Sequence, residues 1–567
     1  MDWKKIESKW LLLAGGVLLV GLVLFFLGKP SGDMTPEEAA SRLSKLLTEV
    51  QWTTEPVQRR AHVQLGQSPE LKDTLPEIEQ FELVVNPFVA RGEVAVEIFV
   101  STEKSGTGTD GWIVESAKAF NARNFRLGGG QKARVQIRKI ASGTGYQFIA
   151  SGKYLPDAYS PSNHLWIAMA RSHNLALQPV RERLVGNLAG IVMKVSAADK
   201  LGWSGSQVDL NVCIEAVVQG KIAMGYTNPF ASSTGLNFLV TVLAHFAGGN
   251  ESAMLSPEVV SAFEQFQRGV PFVAMTTLQM RDSVQNDGSL DAFVMEHQTF
   301  VNAPSLQSGY RFMPFGVRHD NPLYAVGDLS AEKLEVLEKF AVFLEQPERQ
   351  KKASEYGFNS AIDHTPSFQM PSGGTLIQAQ KLWKEKKDAE RPIVAVFLCD
   401  VSGSMGGARI NRLKNSLMGG SVFINSRNSI GLVLFSSKVT VVLPIAKFNL
   451  TQKAAFHAAV EDIRAGGRTA MYDGIAVALS LLFKEKENNP QAKPMLFVLT
   501  DGETGQGLSF KSIRPVIEGI RTPTYTIGYD ANLPVLREVS SIVEAASINA
   551  DQGDVEYKIG SLLNAQM

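Results

Sequence analysis

Cysteine is almost absent from this 567-residue sequence, which contains only Cys213 and Cys399. Both lie in apolar segments and are expected to be buried small hydrophobic residues, so disulfide bonds are not expected to hold the fold together. An excess of one charge is also missing, because 56 basic side chains match 56 acidic ones. This balance gives no sign of a nucleic-acid partner. The length is too great for one hydrophobic core and predicts several domains.

Histidine is scarce in the C-terminal third, where His457 is the only one after residue 364. It lies in the middle of a predicted helix and is expected to be packed or solvated rather than catalytic. Hydrolytic metal sites are commonly built on histidine. A non-enzymatic protein is therefore expected.

A long apolar run is present at the N-terminus. Residues 10–27 contain only apolar residues and glycine, which is about the length that a membrane-spanning helix needs. Three lysines precede the run, so the N-terminus is expected in the cytoplasm and the bulk of the chain outside the cell membrane. The alternative is a cleaved signal peptide, but the run is long for one and no A-x-A-like site follows Leu27. Residues 1–29 are therefore predicted to be a single-pass transmembrane anchor.

Short apolar strands alternate with amphipathic helices in two parts of the chain, residues 91–360 and 391–567. This alternation predicts two α/β domains, the first bilobed and the second a doubly wound sheet. Residues 361–390 predict a linker whose charged helix, over residues 378–390, faces solvent. Residues 30–90 predict a stalk or a small packing segment.

Oxygen-bearing side chains follow three predicted elements of the second domain, at the end of a strand or the start of a helix. They are Asp400, Ser402, Ser404, Thr469 and Asp501. In a doubly wound sheet these segments meet at the carboxyl edge of the strands. Carboxylate and hydroxyl oxygens suit Mg²⁺, which keeps several waters and can accept a ligand from another molecule. Each segment alone could be a helix cap or a turn, but together they predict a metal site.

In order, spacing and context these five residues resemble the metal-ion-dependent adhesion site of the von Willebrand factor type A domain. The resemblance covers residues 391–567 and implies a Rossmann-like fold. It implies that Ser402 and Ser404 bind Mg²⁺ (or Mn²⁺ or Ca²⁺) directly, and that Thr469 binds directly or through water. Asp400 and Asp501 would act mainly through water. The open position would take a Glu or Asp from a protein partner.

Loops of the first domain carry hydroxyl groups after strands or at helix starts. The candidate ligand-binding residues are Ser101, Thr102, Ser142, Ser160, Ser162 and Ser232. Hydroxyls and backbone N–H groups at helix starts suit anions and polar small molecules, although each residue could simply be a cap or a loop residue. The bilobed pattern and these segments resemble the type II periplasmic solute-binding proteins of bacterial transport systems. The resemblance implies a small solute or anion between two lobes, or a retained scaffold that has lost its ligand.

Together these features predict a membrane-anchored extracytoplasmic binding protein. The type A domain would recognise a protein partner through Mg²⁺, and the solute-binding-like domain would sense a small solute or anion. One alternative is the tethered substrate-binding component of an ABC-type transport system, whose type A domain docks partner proteins. Another is a metal-dependent assembly chaperone, which would be cytoplasmic and conflicts with the predicted topology.

Overall fold

The computed structural model describes most of the chain. The described residues are 34–61, 75–202, 210–271, 273–274, 276–284, 290–388, 391–502, 504–529, 533–541, 547–549 and 562–563. The predicted anchor over residues 1–29 lies outside them. Within the described ranges, no helix is both long enough and apolar enough to cross a membrane.

The strands are numbered in chain order. They are β1 (Trp52–Thr54), β2 (Leu83–Val85), β3 (Val94–Val100), β4 (Ala133–Lys139), β5 (Ala158–Ser160), β6 (Leu177–Arg181), β7 (Asn187–Lys194), β8 (Met224–Thr227), β9 (Val273–Ala274), β10 (Ala292–Glu296), β11 (Tyr310–His319), β12 (Leu323–Val326), β13 (Ile393–Asp400), β14 (Ser429–Phe435), β15 (Val439–Lys447), β16 (Lys493–Thr500), β17 (Thr524–Gly528) and β18 (Ser547–Asn549).

The α-helices are numbered in the same way. They are α1 (Pro36–Leu47), α2 (Trp112–Arg123), α3 (Ser142–Ser151), α4 (Leu165–Arg171), α5 (Val195–Lys200), α6 (Leu210–Val218), α7 (Ser233–Phe246), α8 (Pro257–Arg268), α9 (Thr277–Val284), α10 (His297–Val301), α11 (Pro304–Gln307), α12 (Ala331–Leu344), α13 (Pro347–Glu355), α14 (Gly373–Lys386), α15 (Ala408–Gly420), α16 (Leu450–Asp462), α17 (Met471–Asn488), α18 (Phe510–Ile520) and α19 (Leu533–Ser541).

The C-terminal domain is built on a seven-stranded sheet of order β1-β15-β14-β13-β16-β17-β18. Its neighbouring strands are parallel except for β14 and β15, which form an antiparallel pair. The central strand β13 is buried along its whole length, as its unbroken apolar run predicts for a parallel strand covered on both faces. Its side chains alternate between two hydrophobic clusters, one with α15 and α16 and one with α17 and α18. This three-layer arrangement confirms the predicted doubly wound fold.

The middle domain has two lobes, each with its own sheet. The first lobe has the strand order β2-β4-β3-β5-β12-β6, and the second has the order β11-β7-β10-β8-β9. Parallel pairs lie at the centre of the first sheet, where β3 joins β4 and β5. The chain crosses between the lobes near β7 and again near β12. The predicted bilobed α/β domain is therefore confirmed.

Helix α14 is the main difference from the sequence-based expectation of a solvent-facing linker helix. It packs against α4, which follows β5 of the first lobe, and against α7 and α8 of the second lobe. Leu376, Ala379, Leu382 and Trp383 form its buried stripe, and Trp383 is 1% exposed. The many charges of this segment obscured a helical apolar stripe that was present in the sequence. Helix α14 is therefore a strap across both lobes.

The N-terminal arm, residues 34–61, packs on the C-terminal domain. Helix α1 begins with a capping box in which Thr35 and Glu38 bind each other's backbone N–H groups. It buries Ala39 and Leu43 next to α17 and α18. Strand β1 then pairs in parallel with the edge strand β15. Further along, β2 pairs with β4 of the middle domain, so the described parts of residues 30–90 pack on both domains and form no free stalk.

Candidate functional sites

Three loops of the C-terminal domain converge at the carboxyl edge of its sheet. The Gly403 N–H donates to the Gly467 carbonyl at 3.0 Å, which joins the first loop to the second. The Gly505 N–H donates to the Thr469 carbonyl at 2.9 Å, which joins the second loop to the third. Gly467 has a φ of +86°, and a Cβ there would lie 2.9 Å from the Ser437 hydroxyl. Glycine at this position lets the loops approach closely.

Asp400 is fully buried at the end of β13, and both of its carboxylate oxygens are oriented by neighbours. One accepts the Ser402 backbone N–H at 2.8 Å, and the other accepts the Thr500 hydroxyl at 2.6 Å. Burial raises the pKa of Asp400 to about 6, while the hydrogen bonds from Ser402 and Thr500 oppose that rise. Thr500 was not among the site residues predicted from the sequence, although its hydroxyl lies beside Asp501 at the end of β16.

The two serine hydroxyls have the spacing of adjacent ligands of one small cation. Ser402 Oγ and Ser404 Oγ lie 3.0 Å apart. Adjacent oxygens around an octahedral Mg²⁺, each at its usual distance, lie about 2.9 Å apart. Ser402 is buried and Ser404 is exposed, so one side of the pair is open to another molecule. The oxygen set fits Mg²⁺.

Arg409 was not identified from the sequence, yet it lies at the rim of this site. Its Nη1 donates to the Ser404 carbonyl at 2.9 Å and lies 3.7 Å from Asp501 Oδ2. Asp501 and Thr469 are themselves buried. A guanidinium therefore lies at the rim of the site, beside the exposed Ser404.

Within the described ranges, no group of three or more His, Cys, Asp or Glu side chains is placed to hold a metal ion. The converging loops differ from such a group because they supply three hydroxyls and two carboxylates. His457 lies apart on α16, half-buried, with its Nε2 2.9 Å from the Ser421 hydroxyl. Cys213 and Cys399 are both buried and form no disulfide bond with each other, as the sequence predicts.

The predicted residues of the middle domain lie at the face between its lobes, but their hydroxyls are mostly bound within the protein. Ser142 Oγ lies 3.5 Å from Ser162 Oγ, and Ser162 also donates to Glu103. The Ser101 hydroxyl accepts from Lys104. The Ser160 hydroxyl is buried and has no hydrogen-bond partner among the described residues.

The two remaining predicted residues are placed differently. Ser232 caps α7 in the second lobe, where it accepts the Gly235 N–H at 3.3 Å and the Thr227 hydroxyl at 2.9 Å. Its position is thus explained by helix capping. Thr102 is partly exposed, and its hydroxyl lies 3.4 Å from the Glu103 carboxylate.

Glu103 and Lys104 follow β3 and are buried, although neither was predicted as a site residue from the sequence. Lys104 Nζ donates to the carbonyl of Ser160 at 2.9 Å and to Asn321 Oδ1 at 3.0 Å, so its hydrogens are used inside the protein. Burial and the charge of Glu296 in the second lobe raise the pKa of Glu103 to about 7. Glu296 itself accepts from His319 Nδ1 at 2.8 Å. The position of Glu103 and Lys104 directly after Ser101 and Thr102 could have marked them as site residues in the sequence.

Direct contacts hold the lobes together across this face. The Gly143 N–H at the start of α3 donates to the Ala231 carbonyl of the second lobe at 3.0 Å. Arg281 Nη1 lies 3.1 Å from Asp110 Oδ2, and the Trp166 indole donates to Ser233 Oγ at 2.9 Å. The N-terminal end of α3 therefore already donates to protein oxygens. This arrangement removes part of the basis for expecting an anion there.

Two protein families match parts of the chain. Residues 395–555 match the von Willebrand factor type A domain, and residues 105–359 match the bacterial extracellular solute-binding protein family. The first region contains all five candidate metal ligands, and the second contains most of the residues at the interlobe face.

Curated relatives match about a quarter to a third of this chain. Inter-alpha-trypsin inhibitor heavy chain H3 of Bos taurus is 29% identical over 154 residues, which cover 25% of this chain and 17% of that protein. An uncharacterized protein of Synechocystis is 24% identical over 172 residues, 30% of this chain and 38% of its own length. The chain thus spans less than a fifth of the length of the inhibitor heavy chain.

Solved structures also resemble parts of the chain. A von Willebrand factor type A structure from Catenulispora acidiphila is 19% identical, with a TM-score of 0.28, and the match covers 30% of this chain and 42% of that one. The sulfate-binding protein of Mycobacterium tuberculosis is 14% identical, with a TM-score of 0.34, and the match covers 51% of this chain and 97% of that one. With the family matches, the fold leads to one conclusion: the chain carries a bacterial solute-binding-like domain followed by a von Willebrand factor type A domain.

Proposed function

We propose that this protein is a membrane-anchored, extracytoplasmic binding protein without enzymatic activity. Its type A domain recognises a protein partner through a Mg²⁺ ion, and its solute-binding-like domain binds a small solute. The apolar run at residues 10–27 supports the anchor. The observation that carries the metal-dependent part is the pair of serine hydroxyls, 3.0 Å apart, at an open edge of the sheet.

Mg²⁺ would be held by Ser402, Ser404 and Thr469, with Asp400 and Asp501 acting mainly through water. The ion would supply a positive charge that attracts a carboxylate from the partner. Arg409 adds a second positive charge at the same rim. We therefore expect an acidic residue on the partner surface whose carboxylate binds the ion and forms an ion pair with Arg409.

For the solute, we infer a molecule that donates hydrogen bonds or carries positive charge. The charge of Glu296 reaches Glu103 across the lobes, whereas Lys104 spends its hydrogens within the protein. Two carboxylates lie near a single lysine here, and this charge balance is unfavourable for an anion. The sequence predicts either a small solute or an anion, and we propose the small solute.

The metal-dependent function is tested with the purified full chain and its Asp400→Ala variant. Calorimetric titration with Mg²⁺ should give saturable binding to the wild type and none to the variant. A pull-down from surface extracts should then retain a partner only with Mg²⁺ and only for the wild type. Partner capture that is equal with Mg²⁺ and with a chelator would contradict the proposal.

The solute class is tested by titrating the full chain with cationic, neutral and anionic small molecules. Binding should favour the cationic or hydroxyl-rich members and weaken in Glu103→Gln. The matched control is Glu79→Gln, because Glu79 is exposed and should leave binding unchanged. Exclusive binding of anions would overturn the inferred class.

The runner-up function is the docking of a transport permease by the type A domain, which the solute-binding family match favours. Copurification of a permease with the wild type, lost in Asp400→Ala, would select it over adhesion.

A further inference from the structure

The ammonium group of Lys104 lies at the carboxyl ends of β3 and β5, in the first lobe of the middle domain. Strand β3 leads through α2 to β4 on one side of it, whereas β5 leads through α4 towards β6 on the other side. Neighbouring strands whose chains leave in opposite directions form a crevice at their carboxyl ends, and ligands of such sheets bind there. Val100 pairs with Ser160, so the two strands end at the same level. Lys104 therefore occupies the crevice in which this sheet would hold a ligand.

Every hydrogen of this ammonium group has an acceptor. Nζ donates to the Ser101 hydroxyl, to the Ser160 carbonyl at 2.9 Å and to Asn321 Oδ1 at 3.0 Å. The Pro161 carbonyl is a fourth oxygen at 3.3 Å. A lysine ammonium has three N–H donors, and this one is 0% exposed. The crevice thus supplies the complete set of oxygens that a buried primary ammonium group requires.

Asn321 is fixed so that its oxygen faces the ammonium group. Its Nδ2 donates to the Val185 carbonyl at 3.1 Å and to the His319 carbonyl at 2.9 Å. Its backbone N–H donates to the Ser162 carbonyl at 2.9 Å. Val185 and Asn321 lie in the two segments that connect the lobes, one before β7 and the other before β12. The ammonium site therefore joins the sheet of the first lobe to both connecting segments.

Two carboxylates favour a positive charge in this crevice. Burial lowers the pKa of Lys104 to about 8, and the negative charges of Glu103 and of Glu296 in the second lobe oppose that shift. The Ser160 hydroxyl is also buried and has no hydrogen-bond partner among the described residues. Lys104 therefore satisfies the charge requirement of the crevice and leaves one hydroxyl beside it unused.

On the basis of the solute binding proposed above for the middle domain, we propose that this crevice is a site for a primary ammonium group. Lys104 is its tethered occupant, and the solute replaces it. A solute that carries its own primary ammonium group can form the same hydrogen bonds, whereas a quaternary ammonium ion has no N–H donors. Because Lys104 is covalently attached, it competes with the solute at an effective concentration of roughly millimolar or higher.

The test removes the tethered group and supplies it from solution to the full chain. Lys104→Ala lacks the side chain beyond Cβ, which n-propylammonium chloride replaces atom for atom. A calorimetric titration should show saturable binding to Lys104→Ala that is at least about 10-fold tighter than binding to the wild type, in which the lysine competes. The melting temperature of the variant should rise by about 2–4 °C.

Controls separate this binding from a general effect of salt. Tetramethylammonium chloride at equal ionic strength should bind neither protein, because it offers no N–H donor. Lys118→Ala, on the exposed side of α2, should bind n-propylammonium as weakly as the wild type does.

Lys104→Met provides a second variant, because methionine keeps the length and nearly the volume of the apolar stem and is tolerated in cores. Its crevice has room for an ammonium ion alone. Ammonium chloride should therefore bind to Lys104→Met and raise its melting temperature, whereas n-propylammonium should not.

The proposal is overturned if neither variant binds its matching amine saturably, which would make Lys104 a purely structural residue. Equal affinity of the wild type and Lys104→Ala for n-propylammonium, or equal binding of tetramethylammonium, would overturn it as well. Failure of the proposed solute binding gives a different result: the amines would bind the variants while no solute binds the wild type, and Lys104 would be a permanent occupant. Solute binding to the wild type without amine binding to the variants would refute the tethered occupant alone.

Discussion

The hydroxyl-rich loops of the type A domain and those of the middle domain look alike in the sequence and differ in the structure. In the type A domain, Ser402 and Ser404 face each other at 3.0 Å and Ser404 is exposed. In the middle domain, Ser162 is buried against Glu103 and Ser232 caps a helix. We therefore predict a binding site from serines after strands only in the type A domain, where other segments bring oxygens to the same open point.

The largest effect should come from α14, the strap that packs on both lobes of the middle domain. Trp383→Ala removes a buried indole whose Nε1 donates to the Tyr226 hydroxyl at 2.6 Å. We expect a loss of about 3–5 kcal/mol in the free energy of unfolding, measured by urea denaturation. Lys381→Ala on the exposed side of the same helix is the control. If Trp383→Ala lowered the free energy of unfolding by less than about 1 kcal/mol, the sequence-based prediction of a solvent-facing helix would be supported instead.

Next in size is the loss of a metal ligand in the open site. Ser404→Ala should weaken Mg²⁺ binding at least about 10-fold, or about 1.4 kcal/mol, in a calorimetric titration. Ser480→Ala is the matched control, because that hydroxyl donates to the Val477 carbonyl within α17. Equal Mg²⁺ affinity in the two variants would show that Ser404 is not a metal ligand. The hydroxyl-rich loops of the type A domain would then resemble those of the middle domain.

The third prediction concerns pH and the buried carboxyl of the middle domain. The pKa of Glu103 is raised from 4.5 to about 7, so its protonated form stabilises the folded chain. This contribution is complete below pH 4.5 and is lost as the pH rises through about 7. Unfolding measured at about pH 5 and about pH 7.5 should show a decrease of about 1–2 kcal/mol.

Glu103→Gln should remove the part of that decrease that Glu103 contributes, whereas the part from Asp400, whose pKa is raised to about 6, should remain. Glu79→Gln should retain the whole decrease. Lys104, whose pKa is lowered to about 8 mainly by burial, titrates above this window. A decrease of the same size in Glu103→Gln would assign the pH dependence to another group.

The smallest effect separates a cap from a ligand-binding residue. Ser232→Ala should cost about 1 kcal/mol of stability, the usual value for a lost N-cap, and leave solute affinity unchanged. Ser256→Ala, at the cap of α8, should cost a similar amount because Ser256 accepts the Val259 N–H. A selective loss of solute affinity in Ser232→Ala would instead support the sequence-based prediction that Ser232 binds the ligand.

The sequence was most informative for features that a single chain segment determines, such as a strand or the order of strands and helices in a domain. The apolar run before Asp400 predicted β13, and the order of strands and helices predicted both α/β domains. Contacts between distant segments were not predictable in the same way. The pairing of Thr500 with Asp400, the packing of Trp383 under Tyr226 and the approach of Arg409 to Asp501 depend on the three-dimensional arrangement.

Strand β1 joins the N-terminal arm to the type A domain, although the middle domain comes first in the sequence. The N-terminal arm is joined to the type A sheet through β1 and through Arg59, which binds Glu461 and Asp462 at 2.7 and 2.8 Å. Tension applied at the N-terminal side of the chain therefore reaches the type A sheet before it reaches the middle domain. Such tension would reach the solute-binding-like domain only after β1 and Arg59 had separated from the type A domain.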